Sequence, residues 1–182
     1  MRNRKLHRIL LVGLAAFAAG PLGAKVFLSA DEALRLVFGD AAVEHHTVFL
    51  TAEQRAQAQK LAGSEIKSGL ASPYHATRNG KDAGTAYFDS HVVRTLPETL
   101  MVVVDPQGKV TRVEVLAFAE PEDYLPPGPW YGQFLGRSLS DDLALGHHIR
   151  TVTGASLTAR ATTEAVRRIL AIHQVLHGAA KP

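Results

Sequence analysis

The stretch from residue 85 to residue 118 constrains the fold most, because its apolar residues recur with the period of two that is typical of strands. Residues 85–94 alternate, and residues 109–118 alternate again. Residues 99–104 are almost wholly apolar, as in a strand buried on both faces. The tetrapeptide D-P-Q-G at 105–108 has proline and glycine where a β-turn favours them. The sequence therefore predicts an antiparallel hairpin in which this turn joins the last two strands.

Two helices are predicted ahead of these strands. Each begins with a capping box, a hydroxyl three residues before a side chain that can reach back to it: Ser29 with Glu32, and Thr51 with Gln54. Glycines end both patterns, the first at Gly39 and the second near Gly63. Residues 43–50 suit a strand, and residues 68–82, rich in Gly, Ser, Pro and Asn, suggest a loop.

A long C-terminal helix is predicted over Ser156–His177, preceded by a proline-rich loop at 121–129. Its apolar stripe has helical spacing and comprises Ala161, Ala165, Ile169, Ile172 and Leu176. The order of helices, then strands, then a helix predicts a single α+β domain with an antiparallel sheet flanked by helices.

The first 24 residues are typical of a secretory signal. A basic start is followed by an apolar run at 9–19 and then by small residues suited to cleavage after Ala24. A spanning helix needs ~20 apolar residues, so this run is short for one, although an uncleaved anchor is the alternative. We expect an exported protein, in the periplasm or on the outer face of the cytoplasmic membrane. Residues 25–67 would form a helical and strand segment, and residues 68–178 the binding domain.

Charge and composition exclude several classes of function. The leader carries four of the 20 Lys and Arg and no Asp or Glu, so the rest of the chain has 16 basic against 17 acidic residues, a formal charge of −1. The basic character thus belongs to the leader, and no nucleic-acid partner is expected. There is no cysteine, which excludes disulfides and thiolate metal sites. The adjacent pairs His45-His46 and His147-His148 cannot easily chelate one ion, and no metal site is predicted.

Residues 153–158 (T-G-A-S-L-T) lead into the long helix and can form an anion site. Gly154 can take a positive φ, and Ala155 is small enough to leave the backbone open. The first N–H groups of a helix lack intrahelical partners and attract a phosphate. Three hydroxyls add donors: those of Thr153, Ser156 and Thr158. The alternative is an ordinary helix cap in which hydroxyls satisfy the first turn.

This segment resembles the S/T-G-A-T-x-T/S signature of the FMN-binding domain in the C and G subunits of sodium-translocating NADH:quinone reductases and Rnf complexes. Residues 133–139 (Q-F-L-G-R-S-L) are similar to the F-x-G stretch that precedes the signature, and Glu120 fits a glutamate that follows the hairpin. The resemblance covers roughly residues 68–175. In that family a flavin transferase esterifies the fourth signature residue, a threonine, with the phosphate of FMN outside the cytoplasm.

The resemblance implies FMN as the cofactor and Ser156 as the ester site, with Thr158 as the alternative. The implied cofactor-binding residues are Thr153, Gly154, Ala155, Ser156, Leu157, Thr158, Trp130 and Glu120. Trp130 could wall the flavin ring. Two positions depart from the family pattern: a serine replaces threonine at 156, and Arg150 stands where an acidic residue is common.

The function implied by this resemblance is that of an exported flavoprotein that relays electrons, rather than an enzyme with its own substrate. No catalytic residue is predicted. The implied partners are a flavin transferase and membrane or periplasmic electron-transfer proteins. Two alternatives remain at this point: a cofactor-free binding or interaction module, and a flavin-dependent reductase with its own small-molecule substrate.

Overall fold

The structure, a computed structural model, describes residues 24–178 and is built on an antiparallel sheet. Eight strands lie in these residues: β1 (Lys25–Val26), β2 (Ala42–His45), β3 (Val48–Phe49), β4 (Leu70–Ala71), β5 (Tyr74–Arg78), β6 (Lys81–Val92), β7 (Pro97–Val104) and β8 (Val110–Phe118). Six of them form one sheet in the order β1-β8-β7-β6-β5-β2, and β3 pairs with β4 in a second, two-stranded sheet.

Four α-helices lie in the described residues: α1 (Ala30–Phe38), α2 (Ala52–Ala62), α3 (Gly128–Tyr131) and α4 (Ser156–His177). The predicted α+β fold with an antiparallel sheet and a long C-terminal helix is confirmed. Both predicted capping boxes are present. The hydroxyl of Ser29 accepts from the Glu32 N–H at 3.3 Å, and the Glu32 carboxylate accepts from the Ser29 N–H at 2.8 Å. Thr51 and Gln54 are paired in the same way at the start of α2.

The predicted hairpin is the β7–β8 pair, and it is confirmed. The Asp105 carboxylate fixes its turn by accepting from the N–H groups of Gln107 at 2.9 Å and Lys109 at 2.8 Å. Residues 100–104 of β7 are almost fully buried, as expected for a strand covered on both faces. The strand predicted at 85–94 is longer at its start and ends two residues earlier, as β6.

Two sequence predictions about the preceding segment are wrong. Residues 68–82 are not a loop, since they contain β4, β5 and the start of β6. Asn79 and Gly80 form the tight hairpin turn between β5 and β6, where Asn79 has φ +53° and Gly80 has φ +72°. The single strand predicted at 43–50 is divided between the sheets, because β2 pairs with β5 while β3 pairs with β4. The loop predicted at 121–129 also contains a 3₁₀ turn, Glu122–Tyr124, and the start of α3.

Helices cover both faces of the large sheet. Against one face, α4 and α3 pack in a core that includes Tyr87, Val102, Trp130, Phe134 and Ile169. Against the other face, α1 packs in a second core that includes Leu34, Phe38, Ala86, Met101 and Val103. On its far side α4 packs against α2, where Ala58 and Ala62 meet Ala171. The long helix is therefore held between the sheet and α2, and its first turn lies at the edge of this arrangement.

Residues 25–67 contribute β1 and β2 to the same sheet as the strands that follow. The predicted secretory signal, residues 1–24, lies outside the described residues except for Ala24. Within residues 24–178 no helix combines the length and the apolar character that crossing a membrane requires.

Candidate functional site

The chain turns sharply just before α4. Gly154 has φ +86°, a conformation that glycine adopts without steric cost. The turn is closed by the Ala155 N–H, which donates to the carbonyl of Val152 at 3.3 Å. Ala155 is buried, but Gly154 is exposed, and a Cβ built on it would meet no atom within 4 Å. This turn therefore leaves open space above the backbone at the start of the helix.

The first turn of α4 has unpaired backbone donors. Its first intrahelical hydrogen bond is donated by the N–H of Ala159 to Ala155. Among residues 24–178, the N–H groups of Ser156, Leu157 and Thr158 have no hydrogen-bond partner. No side chain caps this helix, and no acidic residue lies in its first turn, whereas α1 and α2 have both features. A helix start that lacks its own cap is suited to an anion, which the helix dipole also favours.

Three of the predicted site residues lie next to this turn and face solvent. Thr153, Ser156 and Leu157 are exposed, Leu157 by 51%. The Ser156 hydroxyl donates to the carbonyl of Val152 at 3.0 Å, so its oxygen lies beside the glycine turn and retains free lone pairs. The structure thus brings together an accessible hydroxyl, an open glycine and three free N–H donors, which are groups suited to binding a phosphate.

Thr158 lies on the inner face of the helix and is 1% exposed. Its hydroxyl donates to the carbonyl of Tyr124 at 2.5 Å, which attaches the 3₁₀ turn to α4. The ring of Tyr124 in turn lies under the Arg94 guanidinium, 4.8 Å from its centroid. In this arrangement the Thr158 side chain is directed to the protein and not to the open space above Gly154.

Trp130 is also a core residue, 6% exposed, and it packs edge-on against Tyr131 and Phe134. Its indole N–H donates to the carbonyl of Arg150 at 2.7 Å. The side-chain oxygen of Gln133 accepts from the N–H of the same residue at 2.9 Å. The contacts of Trp130 therefore fix the segment that leads into the signature.

Glu120 holds the turn between β6 and β7. Its carboxylate accepts from the N–H groups of Thr95 at 2.7 Å and Leu96 at 2.9 Å. These two backbone hydrogen bonds lower the pKa of Glu120 below its usual value. Its observed partners are these two backbone groups and the Thr95 hydroxyl, which donates to it at 3.3 Å.

A buried polar network beneath α4 was missed by the sequence analysis. His91 lies between two carboxylates, with Nδ1 2.8 Å from Asp89 and Nε2 3.1 Å from Glu98. Burial opposes its charge, but both hydrogen bonds outweigh burial and raise the pKa of His91 to about 9. From α4, Thr162 donates to Glu98 at 3.1 Å and Arg168 donates to Asp89 at 3.0 Å. The network joins the helix to the ends of β6 and β7 with paired charges.

The same network borders a cavity of about 520 Å³ between α4, β6 and residues 64–72. Its wall combines Asp89, His91 and Arg168 with the apolar side chains of Ile169 and Ile172. No residue of this cavity was predicted from the sequence to be functional. The only signal available was a row of polar side chains on one face of β6, and nothing in that row indicated which residues they would meet.

Comparison with known proteins gives a family to which part of the chain is similar. Residues 96–171 match the family model of the FMN-binding domain. The chain carries an FMN-binding domain. FMN is its cofactor, so the predicted family resemblance and the predicted cofactor are confirmed. No curated protein and no solved structure matches the chain.

The FMN-binding domain matched here is shorter than the predicted resemblance over residues 68–175. It includes β7, β8, α3 and α4 as far as Ala171, and therefore all eight predicted cofactor-binding residues. The residues at the start of α4 fit a phosphate group, because the N–H groups are unpaired and the space above Gly154 is open. Ser156, Leu157 and the backbone of the Gly154 turn are thus suited to hold the phosphate of FMN.

Proposed function

We propose that this protein is an extracytoplasmic electron-transfer flavoprotein in which the phosphate of FMN is esterified to Ser156. The observation that supports the attachment most directly is the exposed Ser156 hydroxyl. It lies in the first turn of α4, whose first three N–H groups are unpaired, and this turn belongs to an FMN-binding domain. Thr158, the other candidate for the ester, is buried and bound to Tyr124. Ser156 is therefore the residue that a transferase can reach.

Attachment requires an activated flavin donor in which the FMN phosphate is joined to a second phosphate. The Ser156 oxygen would attack the phosphorus of the FMN phosphate, so that an Oγ–P bond forms while the P–O bond to the second phosphate breaks. The hydroxyl proton would be released, and the second phosphate would leave together with the group that it carries. For this the hydroxyl gives up its hydrogen bond to Val152. The free N–H groups of Leu157 and Thr158 are available to the phosphate oxygens and add the favourable dipole of the helix.

Bound FMN supplies one- and two-electron redox chemistry, and the protein positions it. The turn at Gly154 and the helix start hold the phosphate, and the hydrogen bond from Thr158 to Tyr124 holds the adjacent 3₁₀ turn in place. Because the sequence offers no catalytic residue for a bulk substrate, we assign the protein to a relay between redox partners. Those partners are membrane-bound or periplasmic electron-transfer proteins.

Export is part of this proposal and is supported by the basic start, the short apolar run and the small residues before Lys25. N-terminal sequencing of protein from the outer compartment should begin at or near Lys25. Full-length chain in the soluble cytoplasm would contradict export, and it would leave the FMN-binding domain unaffected.

The intact mass of the exported protein tests the attachment. We expect the mass of the processed chain plus one esterified FMN, and we expect a Ser156→Ala variant to have only the chain mass. A turnover assay separates the relay from a reductase. In a relay, the reduced flavin should be reoxidised by a redox partner. The protein should not convert many equivalents of a small-molecule substrate.

A further inference from the structure

The strongest unassigned feature near the proposed phosphate site is Arg150. Its backbone is held on both sides, while its guanidinium makes no hydrogen bond or ion pair with any residue between 24 and 178. We propose that Arg150 binds the phosphate of FMN by charge, so that the chain has an affinity for this phosphate that does not depend on the ester. This inference rests on the proposed phosphate site at the start of α4.

The position of Arg150 is fixed by two side chains from one short segment. Its carbonyl accepts from the Trp130 indole at 2.7 Å, and its N–H donates to Gln133 at 2.9 Å. Trp130 and Gln133 are themselves linked, since the Gln133 amide donates to the Trp130 carbonyl at 3.1 Å. Because Trp130 lies in the core, the Arg150 backbone is anchored to the rigid part of the domain. A side chain that starts from a fixed Cα loses less entropy when it binds a ligand.

The chain path places this anchor within reach of Ser156. The carbonyl of Val152 accepts from both the Ala155 N–H and the Ser156 hydroxyl, so the chain folds back on itself at Gly154. Arg150 precedes Val152 by two residues, which together span at most about 7 Å. An extended arginine side chain covers a comparable distance, and its forked donors match the oxygens of a phosphate.

The charges around the helix start favour this contact. The first turn of α4 holds no acidic residue, and its three free N–H groups already form a positive end. A guanidinium here is repelled by the helix dipole unless an anion lies between them. The arginine thus adds to the free energy of FMN binding only when the phosphate is present. Riboflavin, which lacks that phosphate, should gain nothing from it.

The test compares two ligands and four forms of the full chain. Protein is produced in a host that lacks the flavin transferase, so that the site is unloaded. Binding of FMN and of riboflavin is measured by the quenching of flavin fluorescence, for the unvaried chain, for Arg150→Gln, for Arg150→Lys and for Arg35→Gln. Arg35 is an exposed arginine on α1, which packs against the opposite face of the sheet, and its variant removes the same charge elsewhere.

We expect the unvaried chain to prefer FMN over riboflavin, and this preference to fall with added salt. Arg150→Gln should weaken FMN binding about fivefold or more and leave riboflavin binding unchanged, as for the loss of one charge-assisted contact. Arg35→Gln should match the unvaried chain for both ligands. Arg150→Lys should recover part of the preference, because it restores the charge without the fork.

Two results would overturn the inference. One is equal binding of FMN and riboflavin by the unvaried chain, including the absence of binding by either. The other is an Arg150→Gln variant with undiminished preference for FMN. Neither result bears on the ester, because the intact mass of exported protein reports attachment separately. A chain that is loaded with FMN in its host but fails the binding test would keep the proposed function and lose only the role of Arg150.

Discussion

The hydroxyl of Thr158 and the carbonyl of Tyr124 are joined by a hydrogen bond of 2.5 Å across 34 residues of the chain. Ser156, two positions earlier on the same helix, is exposed and bonded only to the carbonyl of Val152, four residues before it. The two hydroxyls of the signature therefore differ in accessibility. Ser156 faces solvent, where the proposed transferase would act, and Thr158 connects the helix to the 3₁₀ turn.

This difference predicts opposite results for the two hydroxyls. Ser156→Ala should abolish acid-stable flavin without loss of stability, whereas Ser156→Thr should preserve or raise loading. Thr158→Val should keep the flavin but lower the free energy of unfolding by about 1–3 kcal/mol, because the Tyr124 carbonyl loses its buried partner. The flavin that remains on the peptide of residues 153–158 after proteolysis measures covalent loading. Urea unfolding measures the free energy of unfolding. Loss of flavin in Thr158→Val with retention in Ser156→Ala would move the ester to Thr158.

The sequence was sufficient to predict elements whose determinants are local. Both bounds of α4 were predicted from its helical spacing, and the caps of α1 and α2 follow from residues only three positions apart. The strands β4 and β5 were missed because glycine, serine and asparagine in a tight hairpin have the composition of a loop. A strand as short as β4 has no periodicity that a pattern could detect.

The same limit separates what could be predicted at the site from what could not. The Gly154 turn and the free N–H groups arise within six residues, and the sequence analysis located them. The partners of Trp130 and Glu120 lie 20 to 25 residues away, so their hydrogen bonds to the backbone could not be derived. His91 and Glu98 face each other because of the register of β6 and β7, which the sequence does not specify.

Substitution of Gly154 should act through the backbone. Its φ of +86° costs a non-glycine residue about 1–2 kcal/mol, and a β-branched residue more. Because a Cβ here meets no protein atom, the chain is expected to fold with a displaced turn. Gly154→Val should then prevent FMN loading, while Gly154→Asn, which tolerates this conformation better, should retain part of it.

Flavin absorbance per folded protein measures the Gly154 effect, with circular dichroism as the control for folding. A Gly154→Val protein that is folded and fully loaded would mean that the phosphate does not lie against this turn. If Gly154→Val loses its circular dichroism signal, it is unfolded and its loading cannot be interpreted. The test then rests on Gly154→Asn, whose flavin loading should still be lower than that of the unvaried chain.

Glu120 provides a test of whether its contacts are structural. Replacing it with Gln removes the charge that holds the N–H groups of Thr95 and Leu96, so the melting temperature should fall at neutral pH. Its pKa is lowered in the folded state, so the stability it contributes is present above about pH 4.5 and is lost as the pH falls further. The difference in melting temperature between the two proteins should therefore shrink in acid. A Glu120→Gln protein with unchanged melting temperature and lost FMN would instead place Glu120 in contact with the cofactor.

The last prediction concerns His91, whose folded pKa of about 9 exceeds its ordinary value of 6.5. Between these values the native state holds a proton that the unfolded chain has released, so the free energy of unfolding should fall as the pH rises from about 6.5 to about 9. The groups that face His91 are Asp89, Glu98 and, through Asp89, Arg168.

His91→Gln should flatten this dependence and destabilise the protein by about 3–5 kcal/mol near neutral pH, because Glu98 is fully buried and loses its cation. His173 does not interfere, since burial lowers its pKa to about 4 and its effect falls in a more acidic range. His147→Gln, an exposed substitution, is the matched control and should keep the slope of the unvaried chain. Urea unfolding at several pH values between 6 and 10 gives the free energy of unfolding of all three proteins. This range includes both the ordinary and the folded pKa of His91. Parallel curves for His91→Gln and the unvaried chain would show that His91 does not carry its proton in this network.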